Sequence, residues 1–196
     1  MAQGTEFAIG ARANCSDGFC GVVRRIIIDP DARTVTHLVI DPRHSSRPGR
    51  LVPVDLVDSA AGEIRLRCTI AEFDKLDPAE ETEVVEGLGL GIGTMAGGPG
   101  PGIPGPTPVV VEDVIPAGET EVSPGDPVRC LDGEIGQVQG LLVDPDDQHV
   151  THVLLREGHL WGRKEVAIPI SAVTGAEFGI KVNLTKKQVE DLPPAR

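Results

Sequence analysis

A shift of 115 positions superimposes the two ends of this 196-residue chain. Cys15-Ser-Asp-Gly-Phe-Cys-Gly21 reappears as Cys130-Leu-Asp-Gly-Glu-Ile-Gly136, Asp29-Pro30-Asp31 as Asp144-Pro145-Asp146, and Val35-Thr36-His37 as Val150-Thr151-His152. After a one-residue insertion the match resumes, pairing Pro53 with Pro169, Ile64 with Ile180, Thr69 with Thr185, Leu76 with Leu192 and Pro78 with Pro194. A repeat of this length is a duplicated folding unit, so the fold of one copy is the fold of both.

Each copy reads as β. Asp17-Gly18 and Asp132-Gly133 are tight-turn signals, because Asp and Gly tolerate the positive φ that a short hairpin needs. Strands follow at 22–28 and 137–143, each stopping at Asp-Pro, and further strands are expected at 34–40 and 149–155. The next pair, 51–57 and 166–173, each carries a Pro, which marks an edge or a bend. In the last strand Ile64, Leu66 and Cys68 alternate with Arg65 and Arg67, and Ile180, Val182 and Leu184 with Lys181 and Asn183, so one face is buried. Thr69-x-x-Glu72 and Thr185-x-x-Gln188 then open short helices with capping boxes, folding Phe73 and Leu76, or Val189 and Leu192, back on the sheet.

Short strands in about 70 residues do not cover both faces of an open sheet, and curling into a small barrel removes exposed edges. The expected architecture is all-β: two tandem small antiparallel β-barrels, each closed by a short C-terminal helix, over 7–78 and 124–194. Between them, 87–108 holds Gly or Pro at 14 of 22 positions, too many for a packed element. The stretch 79–123 is therefore expected to be an acidic linker, with 109–115 (Val-Val-Val-Glu-Asp-Val-Ile) adding a strand after its Gly/Pro-rich part.

Charge placement narrows the function. The net charge is −12, but residues 1–78 carry 10 Lys/Arg against 11 Asp/Glu and residues 124–196 carry 8 against 11, whereas 79–123 carries no base and 8 acids. Neither module has the basic excess that a nucleic-acid backbone demands. Aromatics are 3% of the chain, with one Trp and no Tyr, against base-stacking platforms or aromatic cages. No apolar run reaches the ~18 residues of a membrane span, and the N-terminus lacks the pattern of a secretion signal. A cytoplasmic protein with reduced thiols is the expectation.

The doubled pattern Gly-x-Val…Asp-Pro-x-x-x-x-Val-Thr-His-[Leu/Val]…[Val/Ile]-Pro-[Val/Ile]…Ile-x-[Leu/Val]-x-[Cys/Leu]-Thr resembles the PRC-barrel family, over about 7–78 and 122–194, with 159–170 (His-Leu-Trp-Gly-Arg-Lys-Glu-Val-Ala-Ile-Pro-Ile) the closer match. The family takes its name from the cytoplasmic part of the photosynthetic reaction-centre H subunit, and a similar barrel forms half of a ribosome maturation factor. Both uses are docking. This chain lacks the membrane helix of the one and the companion domain of the other, so the resemblance implies a scaffold or adaptor and no particular photosynthetic or ribosomal role.

Several residues invite chemistry. The histidines pair across the repeat, His37 with His152 and His44 with His159, and His149 adds a His-x-x-His with His152. On a strand, 149 and 152 face opposite ways, so His149 and His152 are only weak metal candidates, and no cofactor is expected. Cys15 and Cys20 flank the Asp17-Gly18 turn as a prospective cross-strand pair, sterically open to a redox disulfide, although reduced packing thiols are the plainer reading. Gly91-x-Gly93-x-x-Ala96 formally matches a dinucleotide fingerprint but precedes Gly and Pro instead of a helix. The Asp-Pro-Asp groups lack the Gly and distal Glu of a calcium loop and fit ordinary turns.

The most informative functional candidate is the loop His159, Leu160, Trp161, Arg163 and Lys164, which holds the only Trp. A loop Trp beside Arg is a common interface anchor, and capping its own barrel is the alternative role. The first copy has His44, Arg47 and Arg50 there without an aromatic, so the two modules do not present the same surface. Duplication without a convergent catalytic set points away from an enzyme and toward a scaffold for a protein partner, with barrel-to-barrel association within the chain or as a homodimer. The competing reading is a small-ligand or metal-binding sensor at the crevice between the barrels.

Overall fold

The structure, a computed structural model, describes residues 5–42, 48–60, 62–84, 109–157, 165–176 and 179–193. The first repeat contributes β1 (Thr5–Ala8), β2 (Arg12–Cys15), β3 (Gly18–Asp29), β4 (Thr34–Pro42), β5 (Arg50–Pro53), β6 (Val57–Ala60), β7 (Ile64–Leu66) and helix α1 (Ile70–Phe73). Then come β8 (Glu80–Val84), β9 (Val109–Asp113) and β10 (Thr120–Val122). The second repeat continues with β11 (Pro127–Cys130), β12 (Gly133–Val143), β13 (Val150–Glu157), β14 (Glu165–Pro169), β15 (Val173–Gly175), β16 (Ile180–Val182) and helix α2 (Lys186–Glu190).

The protein is all-β with two β domains. Their sheets have one topology, β5-β4-β3-β2-β7-β6 and β14-β13-β12-β11-β16-β15. The two ends of each path are consecutive in the chain, joined by a 3₁₀ turn at Val54–Leu56 or Ile170–Ala172. That short link can bridge opposite ends of a six-strand path only if the sheet curls toward a barrel. The prolines at 53 and 169 immediately precede these turns, which is the bend they signal in the sequence. One feature departs from a wholly antiparallel barrel: β2 runs parallel to β7, and β11 parallel to β16.

Local chemistry accounts for the small elements. Thr69 and Glu72, like Thr185 and Gln188, form complete capping boxes. The turn aspartates add a second cap from across the sheet. Asp17 Oδ1 accepts from the Ile70 N–H at 2.8 Å, and Asp132 Oδ1 from the Lys186 N–H at 2.9 Å, so each hairpin turn also fixes its helix. Phe73 and Val189 are buried beneath. The glycines at 21 and 136 are there for space: a Cβ would lie 2.0 Å from the Asp41 carbonyl oxygen or 2.4 Å from that of Arg156.

The repeats are not independent. β1 of the first repeat pairs antiparallel with β12 of the second, Thr5 opposite Val143 through Ala8 opposite Gly140. β10, at the equivalent place before the second repeat, pairs with β3 of the first, Thr120 opposite Ile28 through Val122 opposite Ile26. The exchange is reciprocal. Phe7 and Val122 are thereby buried, and one continuous apolar cluster runs through both repeats. The far turns also meet: the Val150 N–H donates to the Arg33 carbonyl at 2.8 Å, and the Val35 N–H to the Gln148 carbonyl at 3.2 Å.

The stretch 79–123 contributes three strands among its described residues. β8 and β9 pair antiparallel with Val84 opposite Val109, so the Gly/Pro-rich segment leaves and re-enters at neighbouring points. The strand expected within 109–115 is β9. Flanking residues of this stretch cover the outer face of the first sheet, where Ile27, Val39 and Ala79 form a small second cluster with Leu51 and Ile115. No helix among the described residues is long and apolar enough to cross a membrane.

Candidate functional site at the seam between the repeats

The seam is made by two crossovers. After pairing with the second repeat, the chain turns at Ile9-Gly10 and returns as β2 to its own sheet; it does the same at Pro124-Gly125 before β11. Gly10 and Gly125 have φ of +88° and +87°, a left-handed conformation that favours glycine. The Ile9 N–H donates to Gln139 of the second repeat at 2.8 Å and the Gly10 N–H to Val23 of the first at 2.8 Å, so the change of sheet is completed within two residues.

An apolar crevice of about 280 Å³ opens at the crossovers. Its lining comes in equivalent pairs, Ile9 with Pro124, Val23 with Val138 and Arg24 with Gln139. This is slightly below the ~300–1,000 Å³ of typical small-molecule sites, which suits a small ligand or one inserted side chain.

A charged network reaches the crevice through Arg24 and Asp41. Arg24 Nη1 lies 3.2 Å from Asp41 Oδ2 and 3.8 Å from Glu80 Oε1. The Arg25 guanidinium, 7% exposed as a residue, bridges Glu121 at 2.9 Å and Glu80 at 3.1 Å. Arg25 on β3 is thus tied both to the exchanged strand β10 and to β8, from residues far apart in sequence. Beside it the Thr36 hydroxyl donates to Glu119 Oε2 at 2.7 Å, and His37 Nδ1, buried and without a hydrogen-bond partner, lies 3.5 Å from the same oxygen.

The seam is not symmetric. The counterpart of Arg25 is Gly140, where a Cβ would stand 2.4 Å from the Phe7 carbonyl oxygen and 2.9 Å from the Ala8 Cα. Glycine lets β1 pair one residue further than β10 does. The longer Arg25 side chain instead reaches for the two carboxylates.

His149 lies just before β13, its Nδ1 3.3 Å from Asp147 Oδ2. His152 sits within β13, its Nδ1 3.1 Å from the Thr151 hydroxyl. Among the described residues no three His, Cys, Asp or Glu side chains are arranged to hold a metal ion. The turn aspartates are engaged locally: Asp29 Oδ1 accepts from the N–H groups of Asp31 and Ala32, and Asp144 Oδ1 from that of Asp146. His159, Leu160, Trp161, Arg163 and Lys164 lie outside the described residues, as do His44 and Arg47.

The cysteines pair differently from the sequence expectation. Ser16-Asp17 forms the turn, Cys15 stands opposite Gly18, and a bulge follows before Ala13 meets Gly21. Cys20 is therefore not the cross-strand partner of Cys15. Its thiol donates to the Ala13 carbonyl at 3.2 Å, while Cys15 Sγ lies 4.0 Å from Cys68 Sγ. Burial is the main cause that raises both the Cys15 and the Cys20 thiols, Cys15 well above its ordinary range.

Arg25, Glu80 and Glu121 carry no motif. A signal for the exchange was nevertheless present: Thr5-Glu6 and Thr120-Glu121 are identical at the same 115-residue shift, and Gly10 and Gly125 repeat with them. Compared with known proteins, the chain matches no family model and no curated sequence.

Proposed function

We propose that the protein is a non-enzymatic scaffold of the PRC-barrel type, in which the two repeats act as one rigid body that docks a protein partner in the cytoplasm. The observation that carries this reading is the reciprocal exchange of β1 and β10, with its common core. Two modules that donate strands to each other resist the hinge motion of a clamp, and hold surfaces from both at fixed separation. The partner-binding residues are His159, Leu160, Trp161, Arg163 and Lys164, on the strength of their residue types: an aromatic anchor flanked by bases is a frequent interface centre. Trp161→Ala in the intact chain tests this. A defined set of co-purifying proteins should be lost while the melting temperature is unchanged; an unaltered set would remove that loop from the interface.

The seam crevice supports a second reading, a sensor for a small, mainly apolar ligand. Such a ligand would raise the melting temperature by mass action, and Ile9→Trp, which fills the crevice, would abolish the shift. A screen of small amphiphiles with no Ile9-dependent shift would leave the scaffold reading alone.

A further inference from the structure

Repeat two is an internal control for the thiols of repeat one. The positions of Cys15, Cys20 and Cys68 are occupied there by Cys130, Ile135 and Leu184, and the same sheet and helix cap form around them. The fold thus does not require three sulfurs at this place, and what they can do chemically becomes the question. Cys15 and Cys68 are 53 residues apart in sequence, yet their sulfurs are 4.0 Å apart and both side chains are buried. The backbone holds them there: the Ser16 N–H donates to the Cys68 carbonyl at 2.9 Å, with the Ser16 hydroxyl on the same oxygen at 3.2 Å. A disulfide needs a sulfur separation of ~2.05 Å and a Cα separation of about 4.4–6.8 Å, so bonding requires side-chain rotation to close the 4.0 Å gap. Cys15 also borders an open groove of about 690 Å³ walled in part by Arg65 and Arg67, the side from which an oxidant would approach.

We propose that Cys15 and Cys68 form a reversible intramolecular disulfide when the protein meets a hydroperoxide. Cys15 loses its proton and its sulfur attacks one peroxide oxygen; the O–O bond breaks, leaving a sulfenic acid on Cys15 and an alcohol, or water from hydrogen peroxide. Cys68 then attacks the Cys15 sulfur, its proton leaves with the departing hydroxyl as water, and the S–S bond forms. Two S–H bonds are lost, one S–S bond is made, and the hydroperoxide takes up two electrons. Cys20 also neighbours Cys15, but its thiol donates to the Ala13 carbonyl at 3.2 Å, and Cys130 lies in the other repeat. The product staples the β2–β3 turn to the strand end that leads into α1, stiffening one wall of the groove. Desolvation keeps the resting thiol protonated, so the device responds slowly at neutral pH and faster as pH rises.

The test treats the intact folded protein with hydrogen peroxide at pH 7 and pH 8.5, followed by intact-mass measurement and non-reducing peptide mapping. The expected result is a loss of about 2 Da, a Cys15–Cys68 cross-linked peptide, reversal by a dithiol, and a rate roughly tenfold higher per pH unit while the thiol remains mostly protonated. Cys15→Ala and Cys68→Ala should each abolish the link, and Cys20→Ala and Cys130→Ala should leave it. Cross-linking of the wild-type chain decides the matter if a variant fails to fold. Four retained thiols, a link to Cys20 or Cys130, or a link that forms only in denaturant would each overturn the proposal.

Discussion

Gly140→Ala is the sharpest test of the exchanged strand. An ordinary glycine-to-alanine change inside a strand stabilises a protein by about 0.5–1 kcal/mol, since alanine has less chain entropy to lose. Here the new methyl would stand 2.4 Å from the Phe7 carbonyl oxygen and 2.9 Å from the Ala8 Cα, and backbone atoms cannot swing aside. The relief available is to move β1 off β12. That exposes Phe7, now 3% exposed, which costs about 1.5–3 kcal/mol, together with strand hydrogen bonds of about 0.5–1.5 kcal/mol each. A net destabilisation of about 3–5 kcal/mol in urea unfolding followed by far-ultraviolet circular dichroism is expected. Phe7→Ala alone should cost a similar ~3–5 kcal/mol. The double variant should be scarcely worse than either single one, because Phe7 has nothing left to lose once β1 has moved. Additive losses, or a stabilised Gly140→Ala protein, would refute the reasoning.

Other consequences follow from particular contacts. The Glu72 carboxylate accepts from the Thr69 N–H at 2.8 Å and its hydroxyl at 2.9 Å, and these bonds hold its carboxyl below the usual glutamate range. A depressed folded value gives stability that is present above the unfolded value and is lost as pH falls through the folded one. Amide exchange should therefore show α1 fraying in acid while α2, capped by the non-titrating Gln188, holds; Glu72→Gln should make α1 equally insensitive. Thr185→Ala should cost about 1 kcal/mol in thermal unfolding by removing the α2 cap. Arg33 and Gln148, equivalent residues at φ +55° and +61°, are both in the left-handed region. Either one changed to Gly should be neutral or stabilising by up to about 1 kcal/mol in urea unfolding, as its carbonyl bond to the other repeat is retained. Replacing both Glu80 and Glu121 by Gln should destabilise by about 2–4 kcal/mol, as the nearly buried Arg25 loses two charged partners, whereas a surface pair such as Arg67 and Asp58 should cost under ~1 kcal/mol.

Much of the fold was legible because it rests on local rules. Alternation at Ile64, Leu66 and Cys68, the two capping boxes and the Asp-Pro turns each need only a few neighbouring residues, and each stands in the structure. The two prolines read as bends stand before 3₁₀ turns. The register at Cys15 was missed because a bulge moved the turn by one residue, and pairing is sensitive to a single step. The exchange was harder to see, since strands of three or four residues have little periodicity and nothing local says which sheet they will join. Only comparison of the repeats reveals them. Arg25 was invisible for a related reason: its partners come from β8 and β10, and a lone arginine in a strand otherwise reads as a solvent-facing residue.

Cutting the chain within 85–108 addresses the shared core most directly. A protease site placed between residues 96 and 97 would separate the repeats covalently while leaving β1, β10 and the seam in place. After cleavage the two pieces should co-elute as one 1:1 species and unfold in a single cooperative transition near that of the uncut protein. Pieces that separate into stable monomers, or melt in two independent steps, would contradict the reciprocal exchange.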